Sequence, residues 1–526
     1  MSVTITVNGK EYRAEEGRWL IDVLNEIGME IPHFCYHPGL GPDGNCRMCQ
    51  VEYVTERGSR LAISCNAPVT EGLNVVTDSA KVKGARAGVE EFLLLNHPLD
   101  CPICDKAGEC TLQNYYMAHD MKNTRQQFNR FKKKKAIDIG PTMVLDQERC
   151  VLCDRCVRFL RDKAESEELH IAGRGHDAYL TPFPGREVTS PYSLNTVDLC
   201  PVGALTSKDF RFSTPTWFLK RTPSVCTTCA RGCAIEVDSR DQTIHRLRPR
   251  HNPSVNDYWM CDEGRLSYKF VNTDRVTRAV VERGGERFEC SLENAVAALR
   301  GLLGITDDGE GVRRVPVVML ASGTCTLEEL YALKVLAAAL PDGSLYVARH
   351  VPDGEQDNML RRSDRHPNIK GAEMLGVPVV DLRGKDAAGP PAGVVLLAVG
   401  FDYGIGEALE RFCGSFEKIA IVAARTSALV EKAHVLVPGL TFAEKEGLLV
   451  NFQGQVQEIV PALDNLWDRT PPWEVIASLA AALNRENRFD TMAALRTSLA
   501  GTEAAFSGVD LNAVGPTGVR LQAQAV

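Results

Sequence analysis

The chain has 526 residues and a formal net charge of −8, room for about three or four domains and no overall basic field of the kind that nucleic-acid binding draws on. Apolar runs such as 315–321 and 394–399 fall far short of the ~20 residues a membrane helix needs, and residues 1–10 carry no cationic stretch followed by an apolar core, so neither a span nor a secretory leader is expected. A cytoplasmic, reducing compartment follows, in which 18 cysteines point to metal before disulfides.

Residues 4–7 and 11–14 alternate about Asn8-Gly9, a strong hairpin turn signal. Trp19, Leu20, Val23, Leu24 and Ile27 then recur at helical spacing and should lay one helix face on that sheet. Hairpin, helix and cysteine loop in this order suit a β-grasp ferredoxin domain. The first cysteine group is Cys35, Cys46, Cys49 and Cys65. Four thiolates satisfy a [2Fe-2S] cluster, and Gly44 permits the turn that exposes backbone amides to it. A structural zinc is the alternative.

A helical stretch over 81–96 leads to the second group, Cys101, Cys104 and Cys110. Three cysteines need a fourth ligand, and His97 is the available candidate. A lone histidine is ordinarily a surface or core residue, but three unpaired cysteines beside it favour a ligand. Neutral imidazole in place of thiolate should shift such a site's potential upward. Residues 125–135 form a polar, basic link between two cluster-binding regions. Its run Lys132 to Lys135 reads as a solvated face, with partner docking as the second reading.

The third group is Cys150, Cys153 and Cys156 with Cys200-Pro201 far downstream, three corners of a [4Fe-4S] cube and a remote fourth. Ligand sharing with another group, as in two-cluster ferredoxins, stays open. The fourth group is Cys226, Cys229, Cys233 and Cys261, another cubane set for which zinc competes more seriously. Cys290, Cys325 and Cys413 have no near partners and read as ordinary buried thiols.

Beyond about residue 270 short apolar strands at 315–320, 344–347, 379–382, 394–399 and 419–422 alternate with helices, which predicts a parallel α/β sheet. Thr326 to Glu329 predicts a capping box on a helix running to Leu340. Gly400, Gly404 and Gly406 lack the spacing of a nicotinamide fingerprint.

Three strings, Pro42 to Glu52, Asp100 to Gln113 and Arg149 to Phe159, resemble signatures of the large iron-sulfur subunit of NADH:quinone oxidoreductase, the 75 kDa type of respiratory complex I. The resemblance covers residues 1 to about 270. It implies one [2Fe-2S] and two [4Fe-4S] clusters, with His97 as the unusual ligand, and the family's variable further cubane matches Cys226, Cys229, Cys233 and Cys261. The later half is similar to a reduced molybdopterin-oxidoreductase domain through Ala321 to Thr324 with Glu328-Glu329, and through Glu446-Gly447 with Asn451 to Gly454.

NAD-linked formate dehydrogenases and hydrogenases share this N-terminal arrangement and are the rivals. Molybdopterin enzymes commonly place a lysine two residues after the last cubane cysteine. Here that residue is Glu263, whose charge would repel pterin phosphates, so no molybdopterin is expected.

The expected architecture is α+β iron-sulfur domains followed by a degenerate molybdopterin-oxidoreductase-like α/β domain: 1–80, 81–120, 121–219, 220–275 and 276–526. The expected role is an electron wire without a substrate site, from a flavin partner oxidising NADH to another iron-sulfur subunit near quinone. It would lie on the inner face of the cytoplasmic membrane, which it meets only through partners, and no nucleic acid is involved.

Overall fold

The computed structural model describes residues 1–120, 123–306, 312–384, 393–465 and 469–521. The chain divides into two compact units, Met1–Leu219 and Lys220–Val526.

In the first unit, strands Ser2–Val7 and Lys10–Glu15 pair antiparallel. Asn8 and Gly9 both adopt positive φ, 49° and 80°, as a two-residue turn matched to strand twist requires. The hairpin extends into a five-stranded sheet in the order Lys10–Glu15, Ser2–Val7, Asn74–Val76, Gln50–Thr55, Gly58–Ile63, and Ser2–Val7 runs parallel to Asn74–Val76. Helix Leu20–Glu26 buries Leu20, Ile21, Val23 and Leu24 in one core with Ile5, Val51 and Val75. Cys49 and Cys65 belong to the same core, so the sheet that folds this domain also fixes two of its thiols.

Helix Ala80–Leu94 starts where Ser79 accepts from the Val82 amide at 3.2 Å and stops before the expected residue 96. Pro98 follows closely, and the residue ahead of a proline resists helical backbone. Helix Arg155–Asp162 starts within the third cysteine group and carries Cys156 in its first turn.

The second unit begins with a three-stranded antiparallel sheet, Lys220–Val225, Ala234–Arg240 and Thr243–Pro249. Its main element is an eight-stranded sheet in the order Glu286–Cys290, Ala279–Arg283, Val435–Pro438, Lys418–Ala423, Val395–Val399, Val317–Ser322, Gly343–Arg349, Val379–Asp381. The last six strands are mutually parallel and the hairpin at the first edge is antiparallel. Successive residues of Val317–Ser322 alternate between two cores, Val317, Met319 and Ala321 in one and Val318 and Leu320 in the other. Both faces are therefore covered, which is why these strands read as continuous apolar runs. The first predicted strand starts at Val317 and not 315, because Pro316 offers no amide to the ladder.

Thr326 and Glu329 form the predicted capping box, Glu329 N–H to Thr326 Oγ1 at 3.3 Å and Thr326 N–H to Glu329 Oε2 at 2.8 Å, at the head of helix Leu327–Ala339. Among the described residues no helix is long and apolar enough to cross a membrane.

Candidate metal centres

Cys35, Cys49 and Cys65 are buried and Cys46 half-buried. Cys35 lies within hydrogen-bond reach of both Cys46 and Cys65, and Cys49 within reach of Cys65. Left-handed backbone at Gly44 (77°) and Arg47 (58°) folds the loop so that its amides face sulfur. The Asn45 and Cys46 N–H groups point at Cys35, that of Met48 at Cys46, and Phe34 N–H donates to Cys46 Sγ at 3.4 Å. Hydrogen bonds from Cys46 and Cys65 hold the Cys35 thiol far below its usual range. The bond from Cys65 brings Cys49 down to about 7. Cys46 and Cys65, as the donors in these contacts, are pushed up. Converged thiols in a nest of backbone donors fit an anionic cluster with four thiolate ligands.

Cys150, Cys153, Cys156 and Cys200 line a single cavity with Ile171 and Leu180. Burial pushes Cys150 and Cys153 up to about 12, and burial with repulsion from its neighbours takes Cys156 well above the ordinary thiol range. Such a cluster of thiols ionises only against a bound cation, and the site fits a cubane held at four corners. Leu152 (53°) and Asp154 (66°) take the left-handed conformation that curls the loop. Leu152 N–H then donates to Cys150 Sγ at 3.4 Å and the Arg155 amide to Cys153.

His97, Cys101 and Cys110 share one cavity. Cys104 instead lines the neighbouring cavity with Asp100 and Arg149, so this set is brought together less completely than the other three. Burial lowers His97 to about 4, which leaves its imidazole neutral near pH 7, the state a metal ligand requires. Burial raises Cys110 to about 11, against amides of Gln113 and Leu112 that favour its thiolate. Gly203 has no room for a side chain, since a Cβ there would sit 2.4 Å from Cys104 Sγ. Gly203→Ala is therefore expected to displace Cys104 and remove the iron-sulfur signal of this site. An unchanged low-temperature EPR spectrum in that variant would take Cys104 off the ligand set.

In the second unit, Cys226, Cys229, Cys233 and Cys261 line a single cavity with Met260 and Glu263. Strand Lys220–Val225 delivers Cys226, whose amide bonds the Cys233 carbonyl at 2.8 Å, and Gly264 N–H donates to Cys261 Sγ at 3.3 Å. Burial raises Cys226 to about 11. Glu263 is ion-paired with Arg365, so its charge does not face the cavity uncompensated, as the sequence alone suggests. Cys325 and Cys413 are buried and Cys290 half-buried, outside all four sets. Among the described residues no three His, Cys, Asp or Glu side chains converge on a single-ion site.

Several residues outside the cysteine and histidine sets bind these sites together. In the basic link, Lys135 bridges Asp100 and Glu148, at 2.9 Å each, and Arg149 bonds Asp100 at 2.8 Å. Lys135 is thus engaged and not merely solvated. Arg155 donates to the carbonyls of Leu199 (3.2 Å) and Tyr36, and Asn45 Nδ2 to that of Leu152 at 2.8 Å. Thr111 N–H donates to Pro201 O at 2.8 Å. The two arginines flanking Cys156, Arg155 and Arg158, are buried.

Family models match in chain order: a 2Fe-2S iron-sulfur cluster binding domain at 1–80, the NADH-ubiquinone oxidoreductase-G iron-sulfur binding region at 86–125 and the NADH-quinone oxidoreductase subunit 3 ferredoxin-like domain at 140–206. A molybdopterin oxidoreductase Fe4S4 domain follows at 219–273 and a molybdopterin oxidoreductase model at 416–482. The NADH-ubiquinone oxidoreductase 75 kDa subunit of Reclinomonas americana is 34% identical over 389 residues, 72% of this chain and 55% of that protein. The chain belongs to the 75 kDa subunit family of NADH:quinone oxidoreductase. An NADH-quinone oxidoreductase subunit of Rickettsia conorii is 36% identical over 359 residues, 68% of this chain and 52% of its own length. The mitochondrial NADH-ubiquinone oxidoreductase 78 kDa subunit of Candida albicans is 42% identical over 290 residues, 55% of this chain and 40% of its own length. A chain of an NAD+-reducing [NiFe]-hydrogenase in the H2-reduced state is 34% identical over 41% of this chain and 92% of its own, with a TM-score of 0.37. The chain spans about half the length of the curated 75 kDa-type relatives it matches. It thus has the family's 2Fe-2S domain, its 4Fe-4S binding regions and a molybdopterin-oxidoreductase-like region.

Proposed function

We propose that this chain carries electrons within an NADH:quinone oxidoreductase, from a subunit that oxidises NADH at flavin to an iron-sulfur subunit leading to quinone. It would hold one [2Fe-2S] cluster through Cys35, Cys46, Cys49 and Cys65, and three [4Fe-4S] clusters through His97 with Cys101, Cys104 and Cys110, through Cys150, Cys153, Cys156 and Cys200, and through Cys226, Cys229, Cys233 and Cys261. When bound, these groups supply one-electron redox chemistry. The protein's part is to hold ligands, exclude water and set the charge around each site.

The observation that carries this reading is the stitching of the first unit. Asn45 joins the first ligand loop to the third, and Thr111 joins the second to Pro201 beside Cys200. Sites that share their loops this directly suit a relay better than independent structural metals. Cys101, Leu99, Ile103 and Phe92 are exposed, which gives the His97 site a surface where a partner could approach.

The five segments drawn from sequence, 1–80, 81–120, 121–219, 220–275 and 276–526, remain the proposed functional division. Attachment to the inner face of the cytoplasmic membrane through partners belongs to the same proposal.

Anaerobic purification followed by metal and sulfide analysis tests it: about fourteen irons per chain are expected for this cluster set, without molybdenum. Zinc with little iron would refute the proposal, and molybdenum would favour the molybdopterin dehydrogenase that the match at 416–482 keeps in view. His97→Cys should keep a cubane but lower its potential, because an added thiolate disfavours the more negative reduced state; an unchanged midpoint would remove His97 from the ligands.

A further inference from the structure

The segment Asn451 to Gly454, one of the two strings that link the later half to molybdopterin oxidoreductases, lies against the Cys229–Cys233 loop. Phe452 N–H donates to Ala230 O at 3.0 Å. Asn451, 1% exposed, donates through Nδ2 to Arg231 O at 3.1 Å and accepts the Gln453 and Gln455 amides at 2.9 and 3.0 Å. Gly232 turns beneath it at φ +61°, with Asn451 Cβ 3.5 Å from where a side chain would begin. The loop that carries two ligands thus rests on a strand turn more than 200 residues downstream.

The Phe452 ring carries two cations. The Arg231 guanidinium carbon lies 5.2 Å from its centroid and that of Arg362 4.1 Å. Arg231 is further fixed by donating to Met359 O (2.8 Å) and Leu360 O (3.2 Å). The backbone amides of these same two arginines both point at the Cys229 sulfur. Nearby Arg361 is neutralised by Glu355 and Asp357, and Arg365 by Glu263, whereas no carboxylate pairs with Arg231 or Arg362 among the described residues. Two like charges held this close need a counter-weight, and the negative face of an aromatic ring provides one.

We propose that Phe452 is a positioning residue for the fourth cluster: it holds the unpaired Arg231 and Arg362 guanidiniums beside Cys229, and their charge raises that cluster's reduction potential. This rests on the reading that Cys226, Cys229, Cys233 and Cys261 bind a [4Fe-4S] cluster, since positive charge and sulfur hydrogen bonds favour its reduced state. Phe452→Leu keeps an apolar side chain without a π face. Arg362→Gln removes one charge and leaves the backbone amide on Cys229. Arg362→Lys keeps the charge and tests it apart from guanidinium geometry.

The full chain, purified anaerobically, is titrated with dithionite and followed by EPR, with Cys226→Ser used to assign the fourth signal. Expected are unchanged iron content and, for Phe452→Leu and Arg362→Gln, an about tenfold lower reduced-to-oxidised ratio at fixed potential, equal to about 59 mV for one electron. Arg362→Lys should fall between these variants and the parent chain. Unchanged midpoints in both Phe452→Leu and Arg362→Gln would overturn the proposal. So would loss of the cluster from both, which would make the contact purely structural; if only Phe452→Leu loses it, the Arg362→Gln midpoint decides. A parent chain whose iron and EPR are insensitive to Cys226→Ser would instead overturn the cluster assignment itself.

Discussion

Arg158→Ala should cost about 3–5 kcal/mol of stability and release the [2Fe-2S] chromophore at lower denaturant than the remaining clusters. The side chain is 5% exposed. One nitrogen, Nη1, faces the carbonyls of Leu40 (3.4 Å), Gly41 (3.2 Å) and Pro42 (3.5 Å), and Nη2 donates to that of Cys35. A single guanidinium therefore gathers the stretch between Cys35 and Cys46. Arg155 stands three residues earlier on the same helix face and reaches Tyr36 and Leu199. Alanine leaves the buried Cys35 carbonyl without its donor, which costs about 1–3 kcal/mol, and three half-buried carbonyls without theirs. Lysine should recover less than half of the loss, because an ammonium lacks the planar fork that spans several acceptors. Urea unfolding monitored by visible circular dichroism checks this; a loss below about 1 kcal/mol would show that the loop holds itself.

Arg496→Met is expected to be comparably destabilising in the second unit, about 3–5 kcal/mol, because it strands a buried carboxylate. Arg496 Nε bonds Glu328 Oε1 at 2.7 Å and Nη1 bonds Glu458 at 2.9 Å. Glu328 is fully buried, and its other oxygen accepts the Leu448 amide at 2.9 Å. Burial holds the Glu328 carboxyl above its ordinary range, with Arg496 as the largest opposing influence. A carboxyl raised in the folded state binds its proton more tightly there than in the unfolded chain. Its stabilising contribution is present below the ordinary glutamate pKa and is lost as pH rises through the folded value. Removing the cation lifts that value further and deepens the loss. The variant's deficit should thus be smaller at ~pH 5 than at ~pH 8. Glu328→Gln in the same chain should restore much of the stability and flatten the pH dependence. Equal deficits at both pH values would mean that Glu328 is compensated by another group.

The parts of this molecule that can be read from sequence are those whose chemistry is local. Cys150, Cys153 and Cys156 declare their site because three thiols at every third residue can meet without help from the rest of the fold. Asn8-Gly9 and the Thr326–Glu329 capping box likewise depend only on neighbouring backbone. Strand Val435–Pro438 is hidden because it ends in Pro438 with Gly439 next, which looks like a turn, yet its register against Lys418–Ala423 places it inside the sheet. The edge hairpin Ala279–Arg283 with Glu286–Cys290 is hidden for another reason. Its second strand is largely exposed and polar, so no apolar alternation marks it. Arg158 and Arg496 show the general limit. Each acts through groups far away in the chain, and an arginine's sequence neighbours do not reveal whether it faces water or four carbonyls.

One short strip, 199–203, serves two centres at once. Leu199 O receives Arg155, Cys200 is a candidate ligand of the third set, Pro201 O takes the Thr111 amide next to Cys110, and Gly203 leaves space for Cys104. If both proposed clusters are bound, oxidative loss of metal from either centre would slacken the strip and so unseat the other. Damage would then pass between neighbours by contact, and repair would have to refill both sites together, making the pair, and not the individual centre, the unit of oxygen sensitivity.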